Sequence, residues 1–342
     1  MEKSKLKYSN AKILYVDDEI DNLVGFQVHV EGDFSILTSE FPTKALEMVE
    51  TDPDIAVMIV DQVTPKMTGL ELAEKAKKIS PYLTCIMLTG NATKSLAIES
   101  VRKGLFWEFL EKPVDFSSHE MKQMLFSAIQ EHYLDKVKNG YREGTIQLLA
   151  KLIDDKDGHT HRHSFRVQEW SIKIGKKYNL SDHEMVQLRE GALLHDIGKI
   201  SIPDDILKKP GRLTALERKI IMTHPGRGGD LLESIPQLAE LASMARDHHE
   251  RPDGKGYPRG LKADEIPLLS SIVAMADFYE ALSSKRPYKE PWEVKEIVKE
   301  VARVRGTQFR EDVVDTLLEV LVDEKLISRE DLEQSVKEAQ AA

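Results

Sequence analysis

The chain has 342 residues, enough for two domains of ordinary size, and with 41% hydrophobic and 31% charged residues it can fill a core under a wet surface, which excludes wholesale disorder. A formal net charge of −10 argues against a nucleic-acid polymer as partner, and Cys85, the single cysteine, excludes an internal disulfide or a thiolate zinc cluster, leaving His and carboxylate as metal ligands. Apolar runs such as Ile55 to Val60 fall far short of the roughly 20 residues that cross a bilayer, and Ile13 to Val16 runs into Asp17, Asp18 and Glu19 and is no secretory signal, so no membrane partner and, for a bacterial source, a cytoplasmic location are expected.

In the first 115 residues, short β-branched runs alternate with helical patterns. Strands are predicted at Lys12–Val16, Asp33–Thr38, Ala56–Val60, Thr84–Leu88 and Glu108–Leu110, with helices at Thr43–Glu50 and Leu70–Ile79. This alternation predicts a doubly wound α/β domain over residues 10–125. Next, Met121, Leu125, Ile129, Tyr133, Val137 and Tyr141 recur every four residues, which predicts a linker helix over 118–145. That helix either packs on its own chain or pairs with its copy in a homodimer, although Asn139 and Gly140 interrupt its pattern.

The remainder, 146–325, reads as an all-α domain. Val167, Trp170, Ile174 and Tyr178 form one stripe, and helical patterns follow at Asp182–His195, Thr214–His224, Gln237–His249, Pro267–Ser284, Trp292–Val304 and Glu311–Val320.

Asp17 and Asp18 follow the first predicted strand and Asp61 the third, so a parallel doubly wound sheet would gather them at its carboxyl edge. Mg²⁺ would relieve their mutual repulsion and bridge to phosphate. Thr89 and Lys112, after the fourth and fifth strands, add a hydroxyl and a cation for phosphoryl oxygens. The segments YVDDE, DQVTPKMTG, LTGNA and FLEKP resemble a two-component receiver domain. The resemblance implies that Asp61 accepts phosphate from a cognate histidine kinase, that Asp17 and Asp18 hold Mg²⁺ with it, and that Thr89, Phe109 and Lys112 form the switch.

The helical half carries His163, His195–Asp196, His224, His248–His249 and Asp277, each placed at or near the end of a predicted helix. Imidazole mixed with carboxylate suits Fe, Mn, Zn or Ni, and seven such groups exceed what one ion can use. Two divalent ions bridged by Asp196 would use them all and lower the pKa of a shared water. HDIGK ends in Lys199, whose ammonium could neutralise a phosphate, and the glycines of HHERPDGKGYP let backbone approach a ligand.

Together HDIGK, IPDDILKKPGRLT, HHERPDGKGYP and ALSSKRPYK resemble the HD-GYP family of cyclic di-GMP phosphodiesterases. The resemblance implies one metal, Fe or Mn first among the candidates, held by His163, His195, Asp196 and Asp277, and a second held by Asp196, His224, His248 and His249. Asp196 and Lys199 would be catalytic, and Lys199, Tyr257, Arg286 and Lys289 would contact the dinucleotide. Arg286 and Lys289 stand three residues apart, close enough to meet one phosphate. Members with three metals carry Glu four residues before the first ligand histidine. This chain has His159 there, a third-metal position without a compensating negative charge, so two ions and a pGpG product are expected. His29, His119, His132, His161 and His183 read as surface residues. The rivals are a hydrolase of another cyclic dinucleotide such as cyclic GMP-AMP, a non-hydrolysing cyclic-dinucleotide sensor or interaction module, and a DNA-binding regulator, the last disfavoured by net charge.

Overall fold

A computed structural model describes residues 10–90, 105–157, 162–285 and 290–341. The chain divides into two compact units, Met1–Tyr141 and Arg142–Ala342. In the first, β1 (Lys12–Val16), β2 (Ser35–Ser39), β3 (Ile55–Asp61), β4 (Thr84–Thr89) and β5 (Glu108–Glu111) form one parallel sheet in the order β2-β1-β3-β4-β5. The central strands are apolar without alternation, IAVMIV in β3 and CIML in β4, because helices cover both faces of a parallel sheet. On one face α1 (Ile20–Val30) packs Leu23, Phe26 and Val30, and the start of α4 (His119–Asp157) packs Met121, Leu125, Ala128 and Ile129. On the other, α2 (Pro42–Thr51) contributes Ala45 and Val49, and α3 (Gly69–Ile79) contributes Leu72, Ala73 and Ala76.

Helix α1 is absent from the sequence reading. Its buried ridge is shadowed by exposed Ile20, Val24 and Val28, so apolar residues lie on both faces and blur the helical period.

Helix α4 runs for 39 residues straight through Asn139 and Gly140; its residues to Tyr141 belong to the first unit and those from Arg142 to the second. The four-residue stripe does not stay on one face, since each step of four overshoots a 3.6-residue turn by about 40°. Met121, Leu125 and Ile129 are buried, whereas Val137 is 50% and Tyr141 75% exposed. His132, expected at the surface, is buried: it faces inward on α4 with Nδ1 2.8 Å from the Tyr82 carbonyl, and burial lowers its pKa. His29, His119 and His183 are exposed, and His161 lies outside the described residues.

The second unit is helical among its described residues: α5 (His163–Lys177), α6 (Asp182–Leu194), a 3₁₀ turn (Ile197–Ser201), α7 (Asp204–Leu207), α8 (Ala215–Ile221), α9 (His224–Glu233), α10 (Ala242–Asp247), α11 (Leu268–Ser283), α12 (Val294–Arg303), α13 (Glu311–Asp323) and α14 (Arg329–Ala341). The predicted Thr214–His224 helix is two elements, because Pro225 fits a first turn but not a helix interior and restarts the chain as α9. Gln237–His249 is likewise reduced to the 3₁₀ turn Ala239–Leu241 and short α10. The unanticipated α14 lays Leu332 into the same core as Val167, Leu194, Ile272 and Leu317. No helix among the described residues is long and apolar enough to cross a membrane.

Candidate metal centre

His163 opens α5, His195 and Asp196 leave α6, His224 opens α9, and His248 and His249 leave α10. Asp277 lies inside α11, not near its end as expected, on the stripe that faces His163. Asp154 of α4 fixes the entry to α5: it accepts from Ser164 N–H at 3.2 Å and Ser164 Oγ at 2.6 Å, capping a helix whose preceding residue, Arg162, has left-handed backbone at φ 77°.

The seven groups fall into three overlapping sets, His163/His195/Asp277, His195/Asp196/His248 and His224/His248/His249, with the ligand atoms of each set within 4.8 Å of one another. Asp196 links them by turning its two oxygens different ways. Its Oδ2 lies 3.3 Å from His195 Nε2 and 3.9 Å from His163 Nε2, and its Oδ1 lies 3.1 Å from His224 Nε2 and 3.7 Å from His248 Nε2.

The imidazoles are aimed by their outer nitrogens. Nδ1 of His195 lies 2.7 Å from the Ala192 carbonyl, that of His224 2.8 Å from Ile221, that of His248 2.9 Å from Ala245, and that of His163 2.7 Å from Glu280 Oε2. With Nδ1–H donated outward, each Nε2 lone pair points into the centre, the arrangement metal-binding histidines adopt. Nε2 of His195, His224 and His248 is buried without a well-aligned hydrogen bond, a costly state in a dry interior unless a cation takes the lone pair. The donor set therefore fits divalent ions with nitrogen and oxygen preference.

The electrostatics agree. Burial drives His248 well below its ordinary pKa and lowers His249 to about 4, the neighbouring imidazoles adding to the effect, so both are neutral donors at neutral pH. Burial works against charge on Asp196, but Lys199 and His195 beside it hold the carboxyl well below its usual range. His195 is pushed up to about 9 against its own burial, chiefly by Asp196, and a bound cation would replace that proton.

Lys199 is half-buried, with Nζ 2.7 Å from Asp196 Oδ2 and 2.6 Å from Asp157 Oδ2. Gly198 permits this turn: a Cβ there would stand 1.9 Å from the His224 carbonyl oxygen, so only glycine lets the 3₁₀ turn touch α9. Tyr257 stacks on His249 with ring centroids 4.8 Å apart. Its loop is held by Glu250, whose buried carboxylate accepts N–H groups of Arg259, Gly260 and Leu261 at 2.6, 3.2 and 2.8 Å, and by the Asp247–Arg259 pair. His159, Arg286 and Lys289 lie outside the described residues.

Glu280, Asp157, Asp154 and Glu250 were not singled out from sequence. Glu280 was accessible, since it stands three residues after Asp277 and so shares its helix face. Asp154 and Asp157 come from an acidic stretch that resembles solvated surface, and Glu250 stands inside HHERPDGKGYP with no mark of its own.

In the α/β unit, Asp17 follows β1, Asp61 and Thr89 end β3 and β4, and Lys112 follows β5, so the carboxyl edge gathers them as expected. Lys112 Nζ lies 3.1 Å from Asp17 Oδ2 and 3.0 Å from Asp61 Oδ1. Asp17 is buried and also accepts from Tyr15 Oη at 2.6 Å and Asn22 Nδ2 at 3.1 Å, while Asp18 is exposed. Thr89 Oγ1 donates to Gln62 Oε1 at 2.7 Å, and half-buried Phe109 packs on Phe106.

Residues 13–126 match the response regulator receiver domain and residues 147–313 the HD domain. A cyclic di-GMP phosphodiesterase of Thermotoga maritima is 32% identical over 334 residues, covering 90% of this chain and 89% of its own. A cyclic di-GMP phosphodiesterase response regulator of Xanthomonas campestris is 32% identical over 298 residues, 81% of this chain and 78% of its own. A 3′3′-cGAMP-specific phosphodiesterase of Vibrio cholerae is 39% identical over 151 residues, 44% of this chain and 33% of its own. The likeness to the first two runs through both units, and on that ground the chain belongs to the family of response regulators in which a receiver domain precedes a metal-dependent HD-GYP cyclic di-GMP phosphodiesterase domain.

Proposed function

We propose that the helical unit hydrolyses cyclic di-GMP, opening one 3′–5′ phosphodiester to release linear pGpG. The observation that carries this reading is the split orientation of Asp196, one oxygen toward His163 and His195, the other toward His224 and His248. Asp196 would bridge two divalent ions, Fe or Mn with Zn or Ni as alternatives, the first completed by His163, His195 and Asp277 and the second by His224, His248 and His249. When bound, the ions activate a water nucleophile and offset phosphate charge. A new oxygen–phosphorus bond forms, the ribose 3′ oxygen leaves, and it takes up a proton. Lys199 places a fixed ammonium beside the reacting phosphate, Tyr257 walls the second ion's side through its stack on His249, and Arg286 and Lys289 are assigned to the dinucleotide phosphates. His159 brings no negative charge to a third ion, which supports arrest at pGpG. Product analysis on anaerobically metal-loaded protein tests this: pGpG accumulation is expected, GMP without pGpG would overturn the product, and absence of turnover would overturn the hydrolase reading.

The likeness to a cGAMP-specific enzyme favours one second reading, hydrolysis of a mixed cyclic dinucleotide. Turnover of both substrates in parallel decides between them.

For the α/β unit, the reading is phosphorylation of Asp61 by a histidine kinase, with Mg²⁺ held by Asp17, Asp18 and Asp61 and Thr89, Phe109 and Lys112 as the switch, in the cytoplasm where such a donor works. Lys112 already lies between Asp17 and Asp61, which supports a site built for charge neutralisation. Helix α4 would carry the change onward, and its exposed Leu134, Val137 and Tyr141 would seat a second copy. Beryllofluoride should change turnover or oligomeric state; no change in either would sink this regulation.

A further inference from the structure

Among the described residues Lys199 has two carboxylate partners, and only one of them belongs to the ligand set. Its Nζ touches Asp196 at Oδ2, the oxygen that also faces His195 and His163, so the ammonium flanks the position of the first ion. An ammonium there competes with a cation for the same oxygen. The second partner, Asp157 Oδ2 at 2.6 Å, comes from the last residue of α4; Asp157 is buried and Lys199 half-buried, with side-chain exposures of 10% and 17%. Only partly screened by water, charges this close act on one another more strongly than an exposed pair would.

We infer that Asp157 is a positioning residue that balances the Lys199 ammonium beside Asp196, leaving the bridging carboxylate its negative charge for the metal ions while keeping a cation at the phosphate side. This rests on the two-ion reading of the centre. The balance is one of formal charges: Lys199 with Asp157 is neutral, so Asp196 keeps its full charge for the ions. Without Asp157 the ammonium leans wholly on Asp196 and repels an incoming cation. Without both, neutrality returns.

The test uses the full chain and Mn²⁺ itself, with titrations of wild type, Asp157→Asn, Lys199→Ala and the double variant. Asp157→Asn is expected to weaken Mn²⁺ binding roughly tenfold to a hundredfold, the range for partners that orient or tune metal ligands. Lys199→Ala should bind at least as tightly as wild type, and the double variant should return to near wild type. A merely structural role for the end of α4 would leave the double variant as weak as Asp157→Asn, and that result would overturn the inference. For cyclic di-GMP turnover, Asp157→Asn should lower kcat with little change in KM and add no further loss in the Lys199→Ala background; additive losses would also overturn it. If wild type binds no Mn²⁺, the two-ion reading falls and the inference with it, whereas tight wild-type binding with the wrong order of variants sinks the inference alone.

Discussion

Glu280 Oε2 lies 2.7 Å from Nδ1 of His163, on the side of the ring away from the Nε2 that stands 3.4 Å from Asp277. The carboxylate is itself held by Arg166, whose Nε lies 2.8 Å from Glu280 Oε1. A buried carboxylate–imidazole contact of this kind fixes the ring and raises its basicity. Glu280→Ala should lower metal affinity or turnover roughly tenfold to a hundredfold, and Glu280→Gln, which can still accept from Nδ1–H, should lose less. Metal content after a fixed chelator challenge checks this; unchanged retention in Glu280→Ala would remove Glu280 from the centre.

The same residue sets an acid sensitivity. Burial alone would raise its carboxyl, but the contact with His163 and its other partners overcome this and bring it from 4.5 to about 2. A carboxyl depressed in the folded state stabilises it above pH 4.5, and the contribution fades as pH falls through that value toward 2. In metal-free protein, the stability gap between wild type and Glu280→Gln should therefore be largest at neutral pH and narrow below pH 4.5. Denaturant titrations at several pH values measure the gap, and a constant gap down to pH 3 would show that the charge of Glu280 contributes nothing.

Gly198→Ala should destabilise the helical unit by roughly 1–3 kcal/mol, the usual cost of overpacking, or more, because its Cβ would stand 1.9 Å from the backbone oxygen of His224 and 2.7 Å from the Gly228 nitrogen. Backbone cannot rotate away as a flexible side chain can, so the displacement would pass to His224 itself. Thermal unfolding and metal content should fall together. A variant with wild-type metal content and melting temperature would contradict the close approach.

Cys85 lies buried on β4, between β3 and β5, and burial pushes its thiol up to about 12. Iodoacetamide at pH 8 should leave the folded protein unlabelled and modify it only as denaturant unfolds the α/β unit. Stoichiometric labelling within minutes in native buffer would contradict this burial.

Much of the architecture was legible beforehand because parallel strands covered on both faces read as uninterrupted apolar runs, and the five strands were anticipated to within two residues at each end. Helix α1 escaped because Ile20, Val24 and Val28 are apolar but exposed. The stripe on α4 misled because four-residue spacing drifts around a helix, carrying Tyr141 into solvent. The set of candidate ligands stands out in the sequence because adjacent HD and HH pairs with further His and Asp are a distinctive chemistry. Of the residues around them, Glu280 is marked only by its three-residue spacing from Asp277, while Asp157 and Glu250 have no local mark separating them from surface acids.

The chain's own order of residues determined that there would be an acidic, phosphate-suited sheet edge in one half and an excess of metal-competent imidazoles in the other, because strand ends and residue chemistry are local properties. Only the tertiary structure decided that Asp196 divides its two oxygens between separate imidazole sets, that each Nδ1 is spent on a carbonyl or on Glu280, and that the last residue of α4 meets Lys199. Those relations depend on distances and orientations between segments far apart in sequence, which core packing sets and no run of neighbouring residues encodes.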